Sequence, residues 1–553
     1  MAAGATRHPA TTEHGRTPVL IVGGGPVGLA VAIELGWRGV PCLLVEQGDG
    51  TIIDAKMFAT GIRTVEFCRR WGFAEKVKNW GFPRDFPFDN VFVTSLIGHE
   101  LGRIPVPSLA DTRPPPCSPE QFAHCPQFIF DPLLAEAARG FPCVTLRYRC
   151  QLTGFREEAD GVVCELHDLE TDRRERVRAV YLVACDGYTS SVRKALGIEM
   201  RGQPVINRSA NIMFRTANLS ALHDKGNAGR YVLTGAQGPW ASLVPADGVE
   251  RWRLMVHGRP DWDADSIDPR EAVMRAAGRD FDFEILNVGN WTRRRMVADR
   301  YGKGRVFLAG DAVHVMPPNG GLGMNTGIGD AVDLGWKLAA VYHGWGGAYL
   351  LDSYEAERRP VGVRACDEAV RNLERFSTKA DYTHVLDDSA EGAATRAEIG
   401  RRLATVNRQA WDSPLNTHLG YRYEGSPICV PDGPLPPEPN DALVYNQTSH
   451  PGCRAPHAWL ADGRSTLDLF GRNFTLLRLG RNAPDAAALA EAARARRMTL
   501  DIVALDDSTI VDLYERRLVL VRPDGHVAWR GDALPRDTLG LVDRVRGAVG
   551  TQN

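Results

Sequence analysis

The chain has 553 residues, too many for one ordinary hydrophobic core, so two or three domains are expected. Apolar residues make up 44% and charged residues 24%, and 66 basic against 68 acidic side chains leave a formal net charge of -2. That balance argues against a nucleic-acid binder working through a general basic excess, and eleven cysteines with no C-x-x-C pair argue against a zinc or disulfide scaffold.

Residues 1–16 lack the apolar centre of a signal peptide and read as a disordered leader. With thiols suited to a reducing compartment, this points to a cytoplasmic protein without a metal site. The most apolar run, "VLIVGGGPVGLAVAIEL", holds four glycines, Pro26 and Glu34, so it is not a membrane span. Val19 to Val22 reads instead as a strand covered on both faces, followed by a helix from Pro26. Between them stands G-x-G-x-x-G as Gly23, Gly25 and Gly28. The first glycine permits a tight turn, the second lets backbone approach a pyrophosphate, and the third lets helix and strand pack closely. The motif alone also fits any glycine-tight strand-to-helix turn. A second strand, Val40 to Val45, ends in Glu46, placed to bind a ribose hydroxyl; together these mark a dinucleotide site, with NAD and FAD both open.

Further along, "YLVACDGYTSSVRKALGI" is a strand that breaks at Asp186-Gly187 and resumes as a basic helix. The segment from Met200 to Asp299 alternates apolar and polar residues, as half-buried antiparallel strands do, and offers Arg215, Tyr231, Arg253 and His257 as pocket polar groups. Then "GRVFLAGDAVHVMPPNGGLGMNTGIGDAVDLGWKLAAV" gives a strand at Val306 to Ala309, Gly310-Asp311, a Pro-Gly-rich loop and a helix from about Met324. Bare backbone there can lie close to a flat ligand, and the helix N-terminus can stabilise negative charge. Residues 426–454, rich in Pro, Gly and Asn, read as a long connection. From Ala455 the pattern restarts as strands and helices and includes a hairpin turning at Asp524-Gly525.

The three motifs, in this order and spacing, resemble the single-component flavoprotein aromatic hydroxylases, closest to the phenol and chlorophenol hydroxylase branch. The resemblance runs from about Pro18 to the C-terminus. It implies an α/β fold: a Rossmann-like FAD-binding domain in two parts (17–199 and 300–425), an inserted β-sheet substrate domain (200–299), the linker 426–454 and a thioredoxin-like domain (455–550). The loop that would hold a redox C-x-x-C reads Arg481, Asn482, Ala483, Pro484, and Cys453 has no partner at that spacing, so the last domain is expected to stabilise the fold or an interface.

The resemblance also assigns roles. Gly23, Gly25, Pro26, Gly28 and Glu46 would hold the ADP half of FAD, Gln127 and Arg63 would lie along its chain and pyrophosphate, and Asp311 would bind the ribityl hydroxyls. Asp186 would support FAD and the nicotinamide cofactor. Pro318, Gly321, Leu322, Gly323, Met324 and Asn325 would surround the isoalloxazine ring, while His314 would brace the loop. The implied reaction uses transiently bound NADH or NADPH and dioxygen to hydroxylate a phenolic or other electron-rich ring through a flavin C4a-hydroperoxide. One branch of the family carries a phenol-activating aspartate at the position of Phe58; Asp54 is the nearest substitute. Epoxidation, dearomatising or decarboxylative hydroxylation of a polyketide-like or heteroaromatic substrate is the second reading, and a non-catalytic flavin-binding protein the third. A homodimer is the family-level expectation.

Overall fold

The structure, a computed structural model, describes residues 12–53, 57–217, 219–375, 380–405, 415–439 and 443–550. Asp54 lies outside these described residues. Chain order gives three sheets of functional interest, each with its own reason for forming.

The first sheet has a parallel centre running Val306–Leu308, Arg174–Ala184, Thr12–Val22, Cys42–Val45, Val144–Arg147. Val19, Leu20 and Ile21 are buried on both faces, as a continuous apolar run requires. The strand begins earlier than the expected leader allows: Thr12 already pairs beside Glu175, because the long neighbour Arg174–Ala184 offers it a free edge. Register brings the ends of the strands level. Gly23 donates its amide to Val45, Cys185 to Val22 and Ala309 to Ala184, so all three sequence motifs emerge at one carboxyl edge of one sheet. Open parallel sheets bind ligands at that edge.

Over this edge the helices Pro26–Trp37 and Leu322–Tyr342 pack on each other through glycines. A Cβ on Gly327 would lie 2.6 Å from a Val27 methyl, and one on Gly335 would lie 2.6 Å from Glu34 Cγ. Larger residues would force the helices apart.

The second sheet has eight strands, in the order His314–Val315, Glu284–Ala298, Met200–Arg215, Arg251–His257, Gly238–Pro245, Arg230–Gly235, Asn90–Val93, Glu100–Ile104. It therefore extends beyond the 200–299 stretch: Asn90–Val93 adds in parallel beside Arg230–Gly235, a pairing between distant segments that alternation within one strand does not reveal. One face packs Trp252, Leu254 and Val256 into a core with Ile212, Phe214 and Leu243. The opposite face carries Arg253, Met255 and His257 toward the first sheet's carboxyl edge.

The third sheet, Leu500–Leu505, Phe474–Leu479, Leu518–Val521, Val527–Gly531, has helices Ala487–Ala495, Ser508–Tyr514 and Thr538–Val545 between and after its strands. This is the βαβαββα layout of a thioredoxin-like unit. All eleven cysteines are free thiols. The unit is no loose appendage: Phe474, Leu476 and Trp529 share one core with Trp336, Ala340 and Trp345 at the end of the Leu322–Tyr342 helix.

Candidate functional site

The carboxyl edge of the first sheet and the polar face of the second enclose one cavity of about 1110 Å³. At one end is the glycine turn. Gly23 has φ +105, and a Cβ there would meet the Cys185 carbonyl oxygen at 2.3 Å; a Cβ on Gly28 would meet the Gly23 carbonyl oxygen at 2.0 Å. Those two glycines are demanded by the protein itself. Gly25 differs: its φ is -74, and nothing lies within 4 Å of a Cβ built on it, because that side opens onto the cavity. Gly25 also precedes Pro26 at the head of a helix with no side-chain cap, so the first-turn amides are left for a ligand. Glu46 lines the same end, its carboxylate fixed by the amides of Gly24 and Gly48, both at 2.7 Å.

Asp186 stands on the next strand end. Its Oδ2 accepts from the Ser191 amide at 2.9 Å, whereas Oδ1 is buried on the cavity wall without a protein partner. Arg193, seven residues after Asp186 in the same motif, donates to the carbonyls of Tyr188 and Ala312, tying the D-G turn to the G-D turn. Gln127 also lines the cavity and donates to Asp131 at 3.0 Å.

At the far end the Gly310–Ala312 turn presents Asp311 to the cavity. Behind it, Asp330 accepts from the Gly310 amide at 3.1 Å, from His314 Nε2 at 2.8 Å and from Arg358 Nε at 2.8 Å. Burial alone would raise the Asp330 carboxyl, but the His314 and Arg358 interactions outweigh it and hold it below the usual carboxylate range. His314 is fully buried and thus braces the turn, as its sequence position suggests. Pro318 and Gly321 to Met324 line the cavity. Gly321, with φ 63, begins the long helix without a side-chain cap, so a second set of unpaired amides faces the same cavity.

Two uncapped helix starts, one bare glycine and an unpartnered carboxylate oxygen thus converge on one elongated space. They fit a dinucleotide that is anionic in its middle and has an electron-rich edge at its far end, as FAD does. A family model described as "FAD binding domain" matches residues 16–369, and one described as "Aromatic-ring hydroxylase, C-terminal" matches 448–551.

The chain belongs to the FAD-dependent aromatic-ring hydroxylases.

Its relatives agree. An "FAD-dependent monooxygenase apdD" from Emericella nidulans is 33% identical, the match covering 93% of this chain and 88% of that one. A "Tetracenomycin B2 monooxygenase-dioxygenase" from Streptomyces olivaceus is 34% identical over 96% and 98% of the two chains. Among solved structures, the rebeccamycin biosynthetic enzyme RebC with reduced flavin superposes at a TM-score of 0.90, with 42% identity over 97% of this chain and 100% of that one. RebC soaked with chromopyrrolic acid gives 0.89, at 41% identity over 98% and 100%. The chain is accordingly an FAD-dependent aromatic monooxygenase, with NAD(P)H as the co-substrate typical of the family.

Arg63 of this hydroxylase stands away from its sequence-based place, and the side chain of Asn325 is engaged outside the cavity. Arg63 is not on the cavity wall: its guanidinium is buried against Glu66 at 2.8 Å and the Asp524 carbonyl at 2.9 Å. Glu66 also holds Arg454, so Arg63 serves the contact with the C-terminal unit. Asn325 turns its side chain behind the ring loop, accepting from the Gly61 amide at 2.8 Å and Thr64 Oγ1 at 2.6 Å. It clamps the loop to the helix Ile62–Arg70.

The other wall of the cavity comes from the second sheet. Of the four polar candidates, Arg253 and His257 reach the cavity; Arg215 is ion-paired to Glu250 and Glu284 at the surface, and Tyr231 is buried in the sheet's other core with its hydroxyl on the Gly226 carbonyl. Phe58 lines the cavity with the Arg253 guanidinium 4.1 Å from its ring centroid and His124 stacked 5.9 Å away. Four lining residues escape a reading in chain order: Arg230, Ser242, Asn207 and Arg293. Their signal was a polar face on interior strands of a sheet whose opposite face is apolar, a combination that needs water or a ligand over it. Burial pushes Arg230 and Arg293 down to about 10, so both stay charged at neutral pH.

Bound FAD supplies the electron transfer and oxygen chemistry. The chain's own part is the cavity itself: the two helix starts open onto it, and Phe58, Phe88, Trp291 and the loop at Pro318 to Met324 form part of its wall.

Proposed function

We propose that this hydroxylase acts on a multi-ring aromatic acid, adding one oxygen atom from dioxygen to an electron-rich position at the expense of NADPH or NADH. One observation carries the reading. Arg230, Arg253 and Arg293 line the substrate side of the cavity, whereas its lining carboxylates, Glu46, Asp186 and Asp311, belong to the sheet edge assigned to FAD. A positively charged, aromatic-lined wall suits a flat ring system bearing a carboxylate, held by charge-assisted hydrogen bonds. RebC, whose crystal was soaked with chromopyrrolic acid, offers a parallel.

Gly23, Gly25, Pro26, Gly28, Glu46, Gln127, Asp186 and Asp311 are proposed to bind FAD, with Pro318 and Gly321 to Met324 at its ring. A cytoplasmic location follows from thiols suited to a reducing compartment, and a homodimer from the family; among the described residues no helix is long and apolar enough to cross a membrane.

The test is turnover by the FAD-loaded protein in labelled dioxygen. Multi-ring aromatic acids are expected to accelerate NAD(P)H oxidation and gain one labelled oxygen. Loss of carbon dioxide with that gain would instead mark decarboxylative hydroxylation. Stimulation only by small uncharged phenols would refute the acid. Arg253→Met is expected to raise KM for the acid roughly ten- to hundredfold, as loss of a charged hydrogen bond does, with a smaller change in kcat.

A further inference from the structure

One group of side chains on the cavity wall has a direction built into it. Arg293 Nη2 lies 3.2 Å from His257 Nδ1, and His257 Nε2 lies 3.1 Å from Ser242 Oγ. A guanidinium only donates, so Nδ1 must be the unprotonated nitrogen. The neutral ring then carries its hydrogen on Nε2 and donates it to Ser242. Burial, reinforced by the charges of Arg293 and Arg230, holds His257 well below the ordinary histidine range, so no second proton disturbs this order. Arg293 is itself oriented by Asn207 at 3.2 Å and Met255 at 2.9 Å.

The consequence falls on Ser242. Its oxygen already accepts from His257, so its own hydrogen is left to donate, and among the described residues no other partner for it is present. Ser242 is 6% exposed and faces the cavity. We infer that Arg293, His257 and Ser242 form a one-way donor chain, through which the Ser242 hydroxyl recognises an oxygen acceptor on the aromatic substrate, a phenolate or ring carbonyl, at a subsite separate from the carboxylate-binding Arg253. Ser242 touches the substrate; His257 and Arg293 are positioning residues. The charge at the start of the chain polarises each hydrogen bond after it, which favours an ionised phenol over a neutral one. The inference rests on the cavity being the aromatic substrate's. The same end result, an electron-rich ring, is reached without the family branch's aspartate, whose position is Phe58.

The charged groups around Ser242 and His257 are Arg293, which reaches in from Glu284–Ala298 across the intervening strand Met200–Arg215, Arg253 on the strand of His257, and Arg230 on the strand next to that of Ser242; the lining carboxylates Glu46, Asp186 and Asp311 stand at the first sheet's edge. The probe is alizarin, a dihydroxyanthraquinone whose visible colour reports ionisation of its phenol, titrated with pH on the FAD-loaded protein. Wild type is expected to bind it with the phenol ionising at lower pH than in free solution. Ser242→Ala should weaken binding of the ionised dye roughly tenfold or more and move its ionisation upward. His257→Leu should do the same, whereas His257→Gln, whose amide presents an acceptor and a donor at opposite ends, should restore it. FAD content and melting temperature provide the structural control.

Unchanged dye ionisation in Ser242→Ala, with FAD bound, overturns the donor chain. So does a His257→Gln variant no better than His257→Leu. Wild-type protein that leaves the dye's spectrum unaltered overturns the aromatic reading of this cavity as well, and so is told apart from failure of the chain alone.

Discussion

Gly25→Val yields a folded protein that purifies colourless. The backbone at Gly25 is extended, with φ -74 and ψ 180° within a degree or so, which valine adopts readily and which the following Pro26 favours. A Cβ there meets no protein atom within 4 Å. The added methyls instead occupy the space in which backbone and pyrophosphate must approach, and they shield the free amides at the start of the Pro26–Trp37 helix. Losing two charged hydrogen bonds weakens FAD binding by roughly a hundredfold to ten-thousandfold. Gly28→Val behaves differently: its Cβ collides with the Gly23 carbonyl at 2.0 Å, so that variant loses the fold along with the flavin. Flavin absorbance per protein and circular dichroism check both. A yellow Gly25→Val protein with normal FAD content would refute the assignment of this end of the cavity.

The second large effect concerns the C-terminal unit. Arg522, fully buried at its hairpin, reaches across to Asp333 at 3.0 Å and Glu357 at 2.6 Å, and binds its own neighbour Asp524 at 2.7 Å. Lys337 completes the group, 2.6 Å from both Asp333 and Glu357. Asp333 and Lys337 sit on the helix Leu322–Tyr342, whose N-terminus opens onto the cavity. Three acidic side chains thus face Arg522 and Lys337, and removing the guanidinium leaves buried charge uncompensated. Arg522→Met is expected to cost about 3–5 kcal/mol, the usual consequence of breaking a buried ion pair from one side.

The pH dependence has a definite sign. Burial, aided by Glu357 and Asp524 and opposed by Lys337 and Arg522, pushes Asp333 up to about 7. The folded chain therefore keeps a proton that the unfolded chain releases near pH 4, so this group favours the fold in acid and that preference is lost as pH rises through 7. Without Arg522 the remaining carboxylates repel more strongly, and the variant's deficit should widen between pH 5 and 8. Denaturant titrations at both pH values measure it. A deficit below about 1 kcal/mol at pH 8 would show that the network relaxes or hydrates instead.

Much of this was legible along the chain. The glycine turn, Asp186, Asp311 and the loop from Pro318 to Met324 are local devices: each glycine or carboxylate is required by the strand-to-helix connection in which it stands. Such devices keep their spacing whatever the rest of the chain does, so their order carries the resemblance to the aromatic hydroxylases, and that resemblance implies FAD. His314 was also placed correctly as a brace, because it lies within its own motif. The hairpin at Asp524-Gly525 followed from its turn residues.

What required the folded molecule was every choice between equivalent partners at long range. Arg63 had a plausible anion in the pyrophosphate, yet Glu66, one helical turn away, and the distant Asp524 carbonyl capture it. Asn325 lies at the start of its helix as expected, while its side chain is taken up by the Gly61 amide and the Thr64 hydroxyl. Arg215 and Arg253 are both arginines on neighbouring strands, and only strand register decides that one reaches solvent and the other Phe58. The tight turns and bare backbone that line the cavity at the first sheet's edge could be read along the chain, because adjacent residues encode them. Tertiary structure alone decided the substrate wall and the docking of the C-terminal unit, because a side chain's partner across a sheet or between domains is selected by burial and charge after the chain has closed.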